Sequence, residues 1–229
     1  MIARKRSPTI FVDLDGTLTE SHINNTYTFI GLLILRKATR LRKIAYKVLL
    51  RIVPAITSLY NLLKISSLGI SLDSILITML LFGFSIYDVK SFSLTWLKIL
   101  ISKKLFNEKV LEYIKITKNK NDAEIHLLTA CIEYPACLIA KMLSLDKCFG
   151  KRFITVGNRI IAVEPFHSYI LKAKFLKRAG LSEDNEKIYV LDLHSALLEK
   201  KLLLLFDKII IVGPHGTMLG SFKVFNKIN

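Results

Sequence analysis

The chain has 229 residues, 52% of them apolar, and a mean hydropathy of +0.41; that is enough for one good core, or one core and a subsidiary domain, and high for a freely soluble protein. Its formal charge of +16 is uneven: residues 1–20 are balanced, while residues 21–120 hold 16 Lys and Arg against 4 Asp and Glu, so a partner for the charge is sought in that segment. Cys131, Cys137 and Cys148 are too few and too irregular for a disulfide framework or a zinc site, which leaves free thiols in a reducing compartment as the expectation.

Met1 to Pro8 is basic, but only four residues, three of them apolar, follow before Asp13, so no secretory signal is visible and this part of the chain is expected in the cytoplasm. Ile10-Phe11-Val12 reads as a short buried strand feeding the loop Asp13-Leu14-Asp15-Gly16-Thr17. Carboxylates at i and i+2 on extended backbone point the same way. Two such charges repel, and a hard divalent cation bound by oxygen ligands is the usual neutraliser.

From Tyr27 to about Ile101 the chain is rich in long apolar runs at helical spacing. Arg36, Lys37, Arg40, Arg42, Lys43, Lys47 and Arg51 fall within sixteen residues that contain no acid. Leu41, Ile44, Ala45, Val48, Leu49 and Ile52 recur beside them at three- and four-residue steps, which predicts a basic amphipathic helix. Like charges at i,i+4 repel, so ordinary solvation explains this face poorly. Ile52–Leu63 is uncharged and interrupted by Pro54; Ile65–Tyr87 carries only Asp73. These segments are read as helices lying on or dipping into an anionic bilayer surface, against the alternative of helices packed on one another. A spanning helix would need about 20 apolar residues with few charges.

Helices follow at about 89–101 and 107–118. Glu124–Ala130 reads as a buried strand, 135–145 as a helix, 153–156 and 160–163 as a hairpin about Gly157-Asn158. A helix over 168–180 closes at Gly180, and strands follow at 188–191 and 208–212. Strands alternating with helices predict an α/β fold with a doubly wound, mostly parallel, Rossmann-like sheet. Chemistry gathers at the carboxyl ends of such strands, where Asp13, Thr129 and Asp192 fall.

The Asp-Leu-Asp-Gly-Thr-Leu stretch at 13–18 resembles the first motif of the haloacid dehalogenase (HAD) superfamily. That resemblance implies an aspartyl-phosphate mechanism: Asp13 is the nucleophile, Asp15 the acid and base, and Mg²⁺ sits among Asp13, the Asp15 carbonyl and a later aspartate. Backbone N–H groups after Asp13, including Gly16, would cradle phosphate oxygens. Thr129, ending an apolar strand, is similar to the second motif, whose hydroxyl binds phosphate. Lys172 and Lys174 both suit the third-motif lysine; Lys172 is preferred because it stands 20 residues before Asp192, close to the spacing in the phosphoserine-phosphatase-like branch. Ile188-Tyr-Val-Leu-Asp192 resembles the fourth motif and supplies a metal ligand, and Ile209–Leu219 resembles the closing strand and turn.

The resemblance also has gaps. The second fourth-motif acid is Ala196 here, and Leu191 replaces a small residue; this weakens the expected Mg²⁺ site. The insert between the first two motifs, residues 23–104, is expected to form an all-helical cap on a core of residues 1–22 and 105–229. Phosphoserine phosphatases place an acid where His22 stands and offer a cap arginine, yet Ser66–Val89 has none, so phosphoserine is an unlikely substrate. The hydrophobic, cationic insert is more like that of phosphatidylglycerophosphate phosphatases. The expected substrate is a phosphorylated small molecule or a lipid phosphate met at the inner face of the cell membrane. A degenerate module that binds membrane or protein without turnover is the alternative that Ala196 motivates. Nucleic acid is disfavoured, since residues 36–51 offer only Tyr46 for base stacking.

Overall fold

Strand β1, Thr9–Val12, is buried at every position, as expected of a central parallel strand covered on both faces. The computed structural model describes residues 7–20, 24–63, 68–121, 123–178, 185–214 and 217–223. Around β1 lie β2 (Glu124–Ile132), β3 (Lys147–Lys151), β6 (Lys187–Asp192), β7 (Lys208–Val212) and β8 (Met218–Lys223), in the order β3-β2-β1-β6-β7-β8. All pairings are parallel except β7 with β8. This is the mixed α/β, mostly parallel sheet expected from the sequence.

Register decides where the chemistry falls. Val12 is level with Leu127 on β2 and with Val190 on β6. Asp13 follows Val12 directly, and Thr129 and Asp192 each lie two residues beyond its partners. All three therefore reach the same edge of the sheet.

Four helices, α1 (Asn25–Lys37), α2 (Arg40–Leu62), α3 (Leu72–Leu81) and α4 (Ile86–Ser102), run between β1 and β2, and α5 (Glu108–Asn121) leads into β2. Beyond β2 come α6 (Glu133–Met142), the hairpin β4 (Phe153–Val156) and β5 (Arg159–Val163), and α7 (Ser168–Arg178); α8 (Leu193–Leu198) and α9 (Lys200–Leu203) follow β6. The hairpin leaves the main sheet and joins the inserted helices: Gly83 N–H donates to the Ile160 carbonyl (2.7 Å) and Ile86 N–H to Asn158 (2.9 Å). One face of the sheet packs Ile10, Val12, Ile125 and Val190 with insert residues such as Phe29 and Trp96. The other packs Phe11, Tyr189 and Leu191 against Phe175 and Phe206.

Several details differ from the sequence expectations. The basic helix does not begin at Arg36: Arg36 and Lys37 form the last turn of α1, where cations favour the helix dipole, and α2 starts after a break at Ala38–Thr39. Pro54 does not interrupt α2; only its own N–H bond is lost, and the ladder continues to Leu62. Strands β3 and β8 were not expected, because Lys147-Cys-Phe-Gly-Lys and Met-Leu-Gly-Ser-Phe-Lys lack an apolar run. Cys137 and Cys148 form a disulfide with Cα atoms 5.3 Å apart, which corrects the expectation of free thiols; α6 turns back onto β3 and brings them together, leaving Cys131 as a free, buried cysteine. Gly180, His22 and the 215–216 part of the closing turn lie outside the described residues.

The apolar stripe of α2 faces outward. Leu41 and Leu62 are each 78% exposed, with Ile44, Val48, Ile52 and Leu59 exposed between them, while Leu49 and Tyr60 point inward. Among the described residues no helix is long and apolar enough to cross a membrane.

Candidate active site

Asp13 leaves the tip of β1 with its N–H still bound to the Val190 carbonyl (2.9 Å). Its Oδ1 accepts from the Leu14 N–H (2.8 Å), which turns the carboxylate into the loop that follows. That loop closes tightly, Thr19 N–H reaching the Leu14 carbonyl (3.0 Å). Gly16 adopts φ +72°, and a Cβ there would stand 3.0 Å from Asp192 Cγ; glycine is what lets the loop pass so close to Asp192.

Asp13 Oδ2 accepts from Lys172 Nζ at 2.9 Å. Lys172 is 1% exposed, and its ammonium also donates to Tyr189 Oη (2.8 Å) and to Glu199 (2.9 Å to Oε1, 3.1 Å to Oε2). Tyr189 Oη donates in turn to Glu199 Oε2 (3.1 Å), and the Ser168 hydroxyl donates to Glu199 Oε1. Lys174, the other candidate, lies over the Phe166 ring instead. Glu199, Tyr189 and Ser168 were not foreseen. Glu199 stands in Leu-Leu-Glu-Lys-Lys-Leu, which reads as a surface turn, and only the three-dimensional return of α8 and α9 buries it.

This network encloses two carboxylates and one ammonium. Burial pushes the pKa of Asp13 from 3.8 up to about 7; Lys172 opposes that rise, while Glu199 and Asp15 add to it. Burial works against the Lys172 charge too, yet Asp13, Tyr189 and Glu199 hold its pKa well above the usual lysine range.

Asp15 is held from the insert side. Its Oδ1 accepts from both the backbone N–H (3.0 Å) and Nδ2 (2.5 Å) of Asn25 at the start of α1, and its Oδ2 accepts from the Cys131 thiol (2.8 Å). Burial first, and then Asp15, push the Cys131 thiol well up, so it stays protonated and donates. Thr129 is buried, its Oγ1 accepts from the Cys131 N–H (3.1 Å), and its hydroxyl lies within reach of the Cys131 thiol. Asp192 caps α8, its Oδ1 accepting from His194 N–H (2.8 Å) and Ser195 N–H (3.1 Å). Ala196 is buried on the face of the sheet that carries Phe11 and Leu191.

Among the described residues no three Asp, Glu, His or Cys side chains converge as a metal cage. Asp15 commits its carboxylate to Asn25 and Cys131. The donors left for a cation are the carboxylates of Asp13 and Asp192 on adjacent strand tips and the Asp15 carbonyl, all oxygen and all suited to a hard divalent ion. The under-compensated charge of Asp13 and the close seat of Asp192 against Gly16 fit such an ion with few protein ligands.

Beside Asp15 opens a cavity of about 350 Å³ whose wall includes Tyr27, Ser71, Asp73, Lys151, Ser168 and Glu199. It lies between the carboxyl edge of the sheet and the amino ends of α1 and α3.

No family model matches the chain, and no curated protein matches it in sequence. Solved structures do. A Bordetella pertussis protein of unknown function superposes with a TM-score of 0.59 at 15% identity, over 81% of this chain and 82% of that one. A phosphoserine phosphatase in its apo form gives 0.54 at 17% identity, over 91% and 86%. A phosphoserine phosphohydrolase-like protein from Francisella tularensis gives 0.52 at 19%, over 90% and 87%. At these identities the likeness is one of fold.

Proposed function

On this phosphoserine-phosphatase-like HAD fold, we propose that the chain is a Mg²⁺-dependent phosphomonoesterase that works through an aspartyl-phosphate on Asp13, with its substrate presented at an anionic membrane surface. The observation that carries the catalytic part is the 2.9 Å contact between Lys172 Nζ and Asp13 Oδ2, buried at a strand tip beside Asp15. A carboxylate oxygen of Asp13 attacks phosphorus, and the ester P–O bond breaks as Asp15 gives the leaving oxygen its proton. Water then attacks the same phosphorus; Asp15 takes the proton from it, and phosphate departs from Asp13. Lys172 offsets the negative charge that would keep nucleophile and phosphate apart. The Thr129 hydroxyl donates to a phosphoryl oxygen. Asp13, Asp192 and the Asp15 carbonyl would hold Mg²⁺, which would supply charge neutralisation and Lewis acidity.

Hydrolysis of para-nitrophenyl phosphate tests this reading directly. Chelation with EDTA is expected to abolish turnover and added Mg²⁺ to restore it. Because Asp192 is one of the few carboxylates left to hold the ion, half-activation should need more Mg²⁺ in Asp192→Asn, by about tenfold or more. No hydrolysis at any Mg²⁺ concentration would favour a degenerate binding module.

The membrane part rests on α2, whose exposed apolar stripe is flanked by Arg40, Lys43, Lys47 and Arg51 with no acid between them. Such a face favours an interfacial position, with cations toward anionic headgroups. Tyr46 is half-buried beside Gly31 and is not presented for base stacking. The protein is expected to float with phosphatidylglycerol vesicles and not with phosphatidylcholine ones. Ile44→Glu with Val48→Glu should abolish flotation, and a salt-dependent RNA shift in its place would point to nucleic acid.

A further inference from the structure

The wall of the cavity beside Asp15 contains a cation that the chemistry above does not use. Lys151, the last residue of β3, is 3% exposed. Its Nζ donates to Ser74 Oγ at 2.9 Å, and no carboxylate lies within 4.0 Å of it among the described residues. An ammonium carries three donors, so the others remain for the cavity. Asp73 and Glu164 are near enough to sustain its charge, but they are engaged elsewhere: Asp73 Oδ1 accepts from Tyr27 Oη (2.7 Å), and Glu164 Oε2 accepts from the Arg152 N–H (3.1 Å). A buried ammonium whose one bonded partner among the described residues is neutral is costly, and burial accordingly lowers its pKa.

The surroundings of Lys151 suit an anion. Ser74 sits in the first turn of α3, and the N-cap residue of that helix, Ser71, is buried, lines the same cavity and makes no side-chain capping bond. The amino end of α3 adds uncapped N–H groups to the ammonium, and the acid of the same turn, Asp73, is turned to the Tyr27 hydroxyl. Asp15, the donor to the leaving oxygen, borders this cavity too, so the cavity is the seat of the group that leaves.

Resting on the phosphatase reading, we infer that Lys151 and the first turn of α3 bind a second anionic group, a carboxylate or a second phosphate, on the organic part of the substrate. Substrate choice then lies in β3 and α3, where neither the acid expected at position 22 nor a cap arginine is needed.

The test compares butyl phosphate, 3-carboxypropyl phosphate and butane-1,4-bisphosphate. The wild-type protein is expected to prefer one or both of the doubly anionic compounds by about tenfold or more in kcat/KM, and the favoured one tells carboxylate from phosphate. Lys151→Met should erase most of that preference through KM, Lys151→Arg should keep part of it, and the Met variant should melt no lower than wild type. Equal rates on all three compounds, or a Met variant that loses them in the same proportion or melts well below wild type, would overturn the inference. If neither these three nor para-nitrophenyl phosphate is hydrolysed, the catalytic reading fails by itself. Calorimetric binding of the same compounds to wild type and Lys151→Met then decides the anion site alone: tighter binding of a doubly anionic compound, lost in Lys151→Met, upholds it, and equal binding overturns it.

Discussion

Asp13→Asn is expected to lower kcat for para-nitrophenyl phosphate by about 10⁴-fold or more and, at pH 8 without divalent cations, to raise the melting temperature. The two effects have one cause. The folded state holds the Asp13 proton far more tightly than the unfolded chain, with a pKa near 7 against 3.8, because burial opposes its charge. Between these values the unfolded state ionises while the folded state does not, so stability falls as pH rises from about 4 to about 7 and stays low above that. The loss is on the order of a few kcal/mol. Asparagine removes it and leaves Lys172 paired with Glu199, one charge against one. The gain should therefore vanish at pH 4, and Mg²⁺ should narrow it at pH 8 by stabilising wild type alone. Thermal unfolding at the two pH values, with EDTA or Mg²⁺, reads all of this. A variant that melts lower at pH 8 would show that the carboxylate is there to hold the fold together.

Much of this arrangement could be read from residue order because it is local. Three apolar residues ending in Asp-Leu-Asp-Gly-Thr make a strand tip and a turn whatever surrounds them, and parallel pairing with β2 and β6 brings Thr129 and Asp192 to the same edge. What could not be read depends on returns of the chain over distance. Glu199 meets Lys172 across 27 residues, and nothing in a Leu-Leu-Glu-Lys-Lys turn marks that acid as buried. Cys137 and Cys148 look unrelated until α6 folds back along β3. Lys151 reads as an ordinary charge after a glycine, and its burial follows from the hairpin β4–β5 leaving the sheet to pack on the insert. On α2 periodicity gave the stripe but not its direction: the same spacing serves a core-facing helix and one that turns its apolar side outward.

Lys172→Met is the opposite case to Asp13→Asn, with activity lost and the fold weakened. Removing the ammonium strands the buried carboxylates of Asp13 and Glu199 together, and breaking a buried pair in this way costs about 3–5 kcal/mol. One of the two acids must then take up a proton, so the loss should be larger at pH 8 than at pH 5. Activity should fall by about 10³-fold, while Lys174→Met, whose ammonium lies over Phe166, should change either quantity little. Glu199→Gln separates the roles further. It leaves the Lys172–Asp13 contact in place and removes one of the charges that raise the Asp13 pKa, so without divalent cations the fall in stability between about pH 4 and about pH 7 should be smaller than in wild type. In Lys172→Met with Glu199→Gln, one stranded charge is gone, and the melting temperature should recover by more than the sum of the single effects while turnover does not. Recovery of both would mean that Lys172 acts only by offsetting Glu199; recovery of neither would mean that the three side chains do not share one electrostatic site.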